Sequence, residues 1–239
     1  MHDLTRFGLS DVTRIGAEFR RLSAGASSME AVGGRIVRTL YDGLATDDGP
    51  ACALVRMFVT VPFERLDDEQ RRFALTLLGG TEPAPAMKCL TLLATAGELP
   101  EWNDRRSSVG HLALPLPSPE SVSRSPMIAQ LIRQLGVEIG SLLSADPALL
   151  VDNEQHTFNV FHVEHAKGSP FIPAQLAFVE PYRVHSVLGF GGLLPPGELF
   201  ATILFSRTPI PRETADLFRT LALNVKVALL PFAGDRVFA

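Results

Sequence analysis

Apolar residues in the first part of the chain recur in steps of three and four. Val12, Ile15, Phe19, Leu22, Ala26, Met29, Gly33, Ile36 and Leu40 fall on one stripe, and the spacing predicts helix across Ser10–Leu44. Ser23, Gly25, Ser27 and Ser28 are poor helix formers, so a break is expected over residues 23–28. A stripe of about four heptads is a pattern by which helices pair. It is expected to serve either a homodimer or the packing of this helix on its own domain.

The pattern then changes period. Thr46–Pro50 is a turn cluster, and Ala51–Val61 (ACALVRMFVTV) is a β-rich apolar run ended by Pro62. Asp67–Leu78 predicts a short helix with acidic residues at its start, where they suit the helix dipole. Ala86–Ala96 predicts a second strand, Glu98–Ser108 a polar loop around Trp102, and Val109–Leu116 a short strand. Pro126–Leu143 predicts one amphipathic helix with proline in its first turn, Asn159–Glu164 a strand, and Pro173–Tyr182 a short helix. The chain closes on HSVLGFGGLLP, a Pro196-Gly197 turn, ELFATILFS, and PRETADLFRTLALNVKVALLP: strand, tight turn, strand, helix. Strands and helices do not alternate as βαβ units, so one α+β domain is expected.

Composition adds exclusions. The 239 residues are 46% hydrophobic with a formal net charge of -4, so no basic surface for nucleic acid is expected. No stretch reaches the length of a membrane span, and the first residues do not read as a signal peptide; a soluble, cytoplasmic protein is expected. Cys52 and Cys89 both lie in apolar runs and read as buried, reduced thiols.

SVLGFGGLLP, PGELFATILFS, RTPIPRE and TADLFRTLALNVKVALL stand in the order that closes a GAF domain. MEAVGGRIVRTLYDGL followed at once by ACALVRMFV stands in the order that opens one. Over roughly Met29–Phe232 the chain resembles that family of bacterial sensory modules. Its middle, residues 98–153, is longer than in a minimal GAF domain, and Ala201–Ser206 lacks the glycine that commonly begins the last strand. The resemblance implies a central antiparallel β-sheet with the terminal helices on one face and a middle helix and loop segment on the other. A ligand would sit under that segment, roofed by residues 156–182 and floored by residues 185–192 and 86–95. Residues 1–28 would be a helical extension suited to dimerisation, 29–232 the sensory domain and 233–239 a tail.

Candidate chemistry is sparse. His162 and His165, in FHVEH, are three apart, so on a flat strand they point to opposite faces; with His185 they are the metal or haem alternative. His162 alone is a candidate ligand contact. Gly189, in GFGGLLP, lies within a strand run and reads as a place of close approach rather than a phosphate loop. Phe171, Phe178, Tyr182 and Arg183 mix aromatic walls with polar contacts; Phe178 and Tyr182 share a helical face. No GxSxG context or paired-cysteine motif supports a hydrolase or a methionine sulfoxide reductase type of redox enzyme. The expected function is therefore a non-catalytic, small-molecule-binding sensor without metal or other cofactor. Its partners would be a second copy and an effector such as a histidine kinase or cyclase. A redox enzyme on a GAF-like fold is the other alternative.

Overall fold

The computed structural model describes residues 1–47, 49–143, 159–195, 197–234 and 236–238. Its short strands β1 (His2–Asp3), β2 (Leu44–Thr46) and β3 (Gly49–Pro50) form a small sheet. The main sheet holds β4 (Cys52–Pro62), β5 (Lys88–Gly97), β6 (Ala113–Pro115), β7 (Val160–Val163), β8 (Ser186–Leu194) and β9 (Glu198–Ser206). These run in the spatial order β6-β5-β4-β9-β8-β7 with every neighbouring pair antiparallel. The helices are α1 (Leu9–Phe19), α2 (Met29–Gly43), α3 (Asp68–Leu78), α4 (Pro119–Ser123), α5 (Pro126–Gln134), α6 (Ile139–Leu143) and α7 (Arg212–Leu229).

The inner strands lack the alternation of a half-wet sheet. Every residue of β8 and β9 is buried, so both faces need a cover. On one face Phe19, Ile36, Leu40, Phe218 and Leu221 of α1, α2 and α7 pack on Val55, Met57, Leu188, Phe190 and Leu204. On the other, Leu131 and Ile132 of α5, with Ile172 and Val179, pack on Leu54, Phe58, Phe161, Ile203 and Phe205. This is the α+β arrangement that the GAF resemblance implies, with the chain ends on one face and the middle segment on the other.

The first helical stripe is interrupted where the serines and glycines stand. Gly25 takes φ +66° in the connection, and the Ser28 side chain restarts the helix by accepting from the Ala31 N–H at 3.1 Å. Val12, Ile15, Phe19, Met29, Ile36 and Leu40 are all buried within the chain. Phe7 stacks on Phe218 of α7 at 4.9 Å between ring centroids. Gly16 gives α7 close access, since a Cβ there would lie 2.8 Å from Asn224 Nδ2. Most of the stripe that motivated a homodimer is thus packed on the sheet and α7, with Leu22 and Ala26 partly buried. Residues 1–28 lie on the domain, with β1 paired in parallel to β2. The tail closes α2, because the Met29 and Glu30 N–H groups donate to the carbonyls of Arg236 and Val237 at 2.8 Å each.

Elsewhere the structure shortens or divides expected elements. The single helix over Pro126–Leu143 becomes α5 and α6, parted at Gly136 with φ +80°. The segment Pro173–Tyr182 holds one π-helical turn, Gln175–Val179. Helix α4 and the small β1–β3 sheet were not foreseen; two- and three-residue strands carry no readable period. A buried arginine joins distant parts. Arg105 bonds both carboxylate oxygens of Glu30 on α2 at 2.6 and 3.2 Å and reaches Asp67, the N-cap of α3, at 3.3 Å. The Phe238 ring lies 4.9 Å from its guanidinium.

Close strand approach makes Gly191 intolerant of a side chain, since a Cβ there would stand 2.1 Å from the Phe200 carbonyl oxygen. We expect Gly191→Ala to lose about 3 kcal/mol of unfolding free energy in urea. Gly34→Ala, on an α2 face where a Cβ meets nothing within 4 Å, is the matched control and should hold or gain stability. Equal midpoints for Gly191→Ala and wild type would show that the β8–β9 spacing yields.

Candidate functional site

The expected site residues do not converge on one pocket. Along β7 the side chains alternate: Phe161 and Val163 join the middle-face core, whereas Val160 joins the terminal-helix core. His162 therefore faces the terminal helices, opposite the face where a ligand was expected. Its Nε2–H donates to the Ile210 carbonyl at 2.8 Å, and its backbone N–H donates to Gln134 Oε1 at 2.8 Å. Burial lowers its pKa, so the ring is a neutral strap from β7 to the segment before α7. His165 and His185 meet edge to face at 5.8 Å, away from that bond. Among the described residues no three His, Cys, Asp or Glu side chains are grouped to hold a metal. His156, expected in the pocket roof, lies outside the described residues.

The aromatic candidates fill space. Phe178 touches Trp102, Tyr182 and Phe205 at centroid distances of 5.6, 5.7 and 5.0 Å, and Trp102 meets Tyr182 at 4.5 Å. Together they seal one end of the middle-face core, and Phe171 packs on the same core. Gly189 admits helix α5, because a Cβ there would lie 3.1 Å from Leu131 Cδ1 and 3.2 Å from Phe161.

Tyr182 and Arg183 border an open cleft. Arg183 is the one non-glycine residue with positive φ, +55°, among the described residues. It occupies the left-handed position that ends the π turn, where the Val184 N–H returns to the Val179 carbonyl at 2.9 Å. A glycine would take this conformation at lower cost. The cleft beside it measures about 520 Å³ and is also walled by Thr46, Pro50, Glu98, Arg207 and Thr208. Arg207 is ion-paired to Glu98 and donates to the carbonyls of Cys52 and Tyr182 at 3.3 and 3.4 Å. Four connections meet here: the exit from α2 into β4, the exit from β5 at Glu98, the turn after the π helix, and the exit from β9 toward α7. A shallower cleft of about 320 Å³ lies over α1 and α2.

Two further residues were not singled out in the sequence. Arg56 stands in the middle of central strand β4, between Leu54 and Phe58 on the middle face. His111 lies just before β6, with Nδ1 3.3 Å from Arg56 Nη1. The signal was present as the lone charge in ACALVRMFVTV. Burial brings the Arg56 pKa down to about 10. Desolvation first, and the adjacent Arg56 charge second, hold His111 down to about 4.

The thiols make no site. Cys52 opens β4, while Cys89 pairs with Val61 near the far end of the same strand. At the rise of a β-strand these positions are about 30 Å apart, far beyond disulfide reach. Burial pushes each thiol up to about 12.

No protein-family profile and no curated protein matches the chain in sequence. Solved structures do match it in fold. A free methionine-R-sulfoxide reductase from Neisseria meningitidis, in complex with its substrate, aligns over 93% of this chain and 89% of its own. It has a TM-score of 0.50 and 11% identity. The GAF domain of a phosphoenolpyruvate-protein phosphotransferase from Coxiella burnetii aligns over 93% of both chains, with a TM-score of 0.41 and 15% identity. The chain has a GAF-like α+β fold. Among the described residues no helix is long and apolar enough to cross a membrane.

Two outcomes follow from these side chains. Native protein should show no thiol reacting with a disulfide reagent at pH 8, and two after denaturation; a fast native reaction would contradict the burial of Cys52 and Cys89. For His111 the folded state prefers the neutral ring, so its contribution is present above pH ~6.5 and is lost as pH falls toward 4. The fall in urea stability between pH 7 and pH 4.5 should be smaller in His111→Gln than in wild type, and identical slopes would refute it.

Proposed function

We propose that this chain is a non-catalytic regulatory domain that binds a small molecule in the cleft beside Tyr182 and Arg183 and passes the signal through its terminal helices to an effector on another chain. The observation that carries this reading is where the cleft lies. Its walls include Thr46 and Pro50, on the connection from α2, and Arg207 and Thr208, on the connection to α7. A ligand touching both connections binds more tightly to one relative placement of these helices than to another, and that difference is what shifts a population. A volume of about 520 Å³ suits a metabolite-sized molecule. The two arginines against Glu98 favour one with an acidic group. The strained backbone at Arg183 supports a binding role, since such strain tends to persist where a side chain must be aimed. A dithiol reductase chemistry is disfavoured by cysteines that are buried and stand far apart, Cys52 at the start of β4 and Cys89 on β5 beside the far end of β4.

The test is native mass spectrometry of the protein as purified, together with a thermal-shift screen of small organic acids. A compound that binds wild type should bind Arg183→Gly at least tenfold more weakly, although this variant should be more stable by about 0.5–1 kcal/mol. It should also change amide exchange in α2 and α7. Ligand binding that leaves both helices unchanged, or that is indifferent to Arg183, would end this reading.

A further inference from the structure

The arginines drawn into this fold have carboxylate partners, with one exception. Arg105 has Glu30 and Asp67, Arg65 has Glu198 at 3.2 Å, and Arg207 has Glu98. Arg56 has none among the described residues. Its Nε is buried without a hydrogen-bond partner, and its one bond is the 3.3 Å contact of Nη1 with His111 Nδ1. Its cross-strand neighbours are Thr95 and Ile203. Isoleucine offers nothing polar, and the Thr95 hydroxyl, which donates to the Trp102 carbonyl at 2.9 Å, makes no bond to Arg56 Nε. A cation set among apolar residues of a central strand without an anion is a costly arrangement. Packing does not call for it, because Leu54 and Phe58 on the same face satisfy the core with hydrocarbon.

His111 completes the chemistry. Because Nδ1 accepts from a guanidinium that is protonated at neutral pH, the neutral ring carries its hydrogen on Nε2. His111 is exposed and Arg56 only partly buried, so the pair has an open side. One guanidinium beside a neutral imidazole carries a single positive charge, which matches a monoanion better than a phosphate dianion. The planar fork of a guanidinium fits the two oxygens of a carboxylate. Leu54, Phe58 and Ile203 make the surroundings of Arg56 on this face apolar.

We propose that Arg56 and His111 form the head of a second binding site, on the middle face of the sheet, for a small monocarboxylate with a hydrocarbon body. The carboxylate pairs with the guanidinium that His111 Nδ1 holds at Nη1, and supplies the anion that Arg56 lacks among the described residues. This site shares no residue with the cleft at Arg183.

The probes are sodium benzoate and sodium butyrate, with sodium chloride and inorganic phosphate at matched ionic strength as controls. Isothermal titration and melting curves of the whole chain at pH 7 read the result. Both carboxylates should bind wild type and raise its melting temperature, while the controls do not. Arg56→Met should lose at least tenfold in affinity and melt no lower than unliganded wild type, since a thioether replaces an unpaired cation. Arg56→Lys, which keeps the charge without the fork, should also lose at least tenfold. Wild type that responds to benzoate no more than to chloride would overturn the proposal. So would an Arg56→Met that binds benzoate normally, or one that melts lower, which would make Arg56 a structural residue. If Arg56→Met fails to fold, the Arg56 Nε–H resonance of wild type decides: benzoate must move it, and a fixed resonance overturns the site.

Discussion

A sheet buried on both faces is the constraint on which the rest of this molecule depends. Strands β4, β8 and β9 have almost no polar position to offer water, so neither face is stable without a cover. The chain supplies the two covers from different places. Its ends provide α1, α2 and α7 for one face, and the long excursion between β6 and β8 provides the other. This division makes the molecule two cores back to back with six strands between them. It also explains why the helical stripe of the first forty residues is spent inside the chain: Phe19, Ile36 and Leu40 are needed to close a face.

Much of this was legible in the sequence because it rests on period and on turn chemistry. The closing strands and helix could be read within a residue or two, since the Pro196-Gly197 turn and the unbroken apolar runs admit few other arrangements. The break at residues 23–28 was legible from its serines and glycines, and the start of α3 from its acidic cap. The site was less legible. His162 was assigned to the wrong face because strand alternation gives opposite faces but not which face is which; that depends on the register of β7 against β8. Gly189 reads as a place of close approach, but a sequence cannot say whether a helix or a ligand approaches; here Leu131 of α5 does. The meeting of residues 46, 98, 183 and 207 in one cleft joins four separate connections and leaves no local pattern. Arg56 did leave one, a single charge within eleven strand residues, and it is the kind of exception where function gathers.

The buried charges show how the fold treats ionic groups. Arg105 is acceptable in the interior because two carboxylates and an aromatic ring surround it, and it ties α2, α3 and the tail to one point. Glu198 and Arg65 form a smaller version at the start of β9. Against these, Arg56 and the left-handed Arg183 stand out by different routes, one electrostatic and one conformational. Neither improves the packing where it stands.

The pairing of β4 with β9 has a consequence for how the molecule comes into being. Cys52 lies opposite Ser206, so the centre of the sheet joins residues about 150 positions apart. At ordinary rates of translation, on the order of 5–20 residues per second, β4 must wait roughly 10–30 seconds after its own synthesis for its partner to leave the ribosome. During that interval β4 and β5 form a hairpin with one long, apolar edge open, which is a template for association with other nascent chains. The middle segment is thus also a delay between the synthesis of β4 and its pairing with β9.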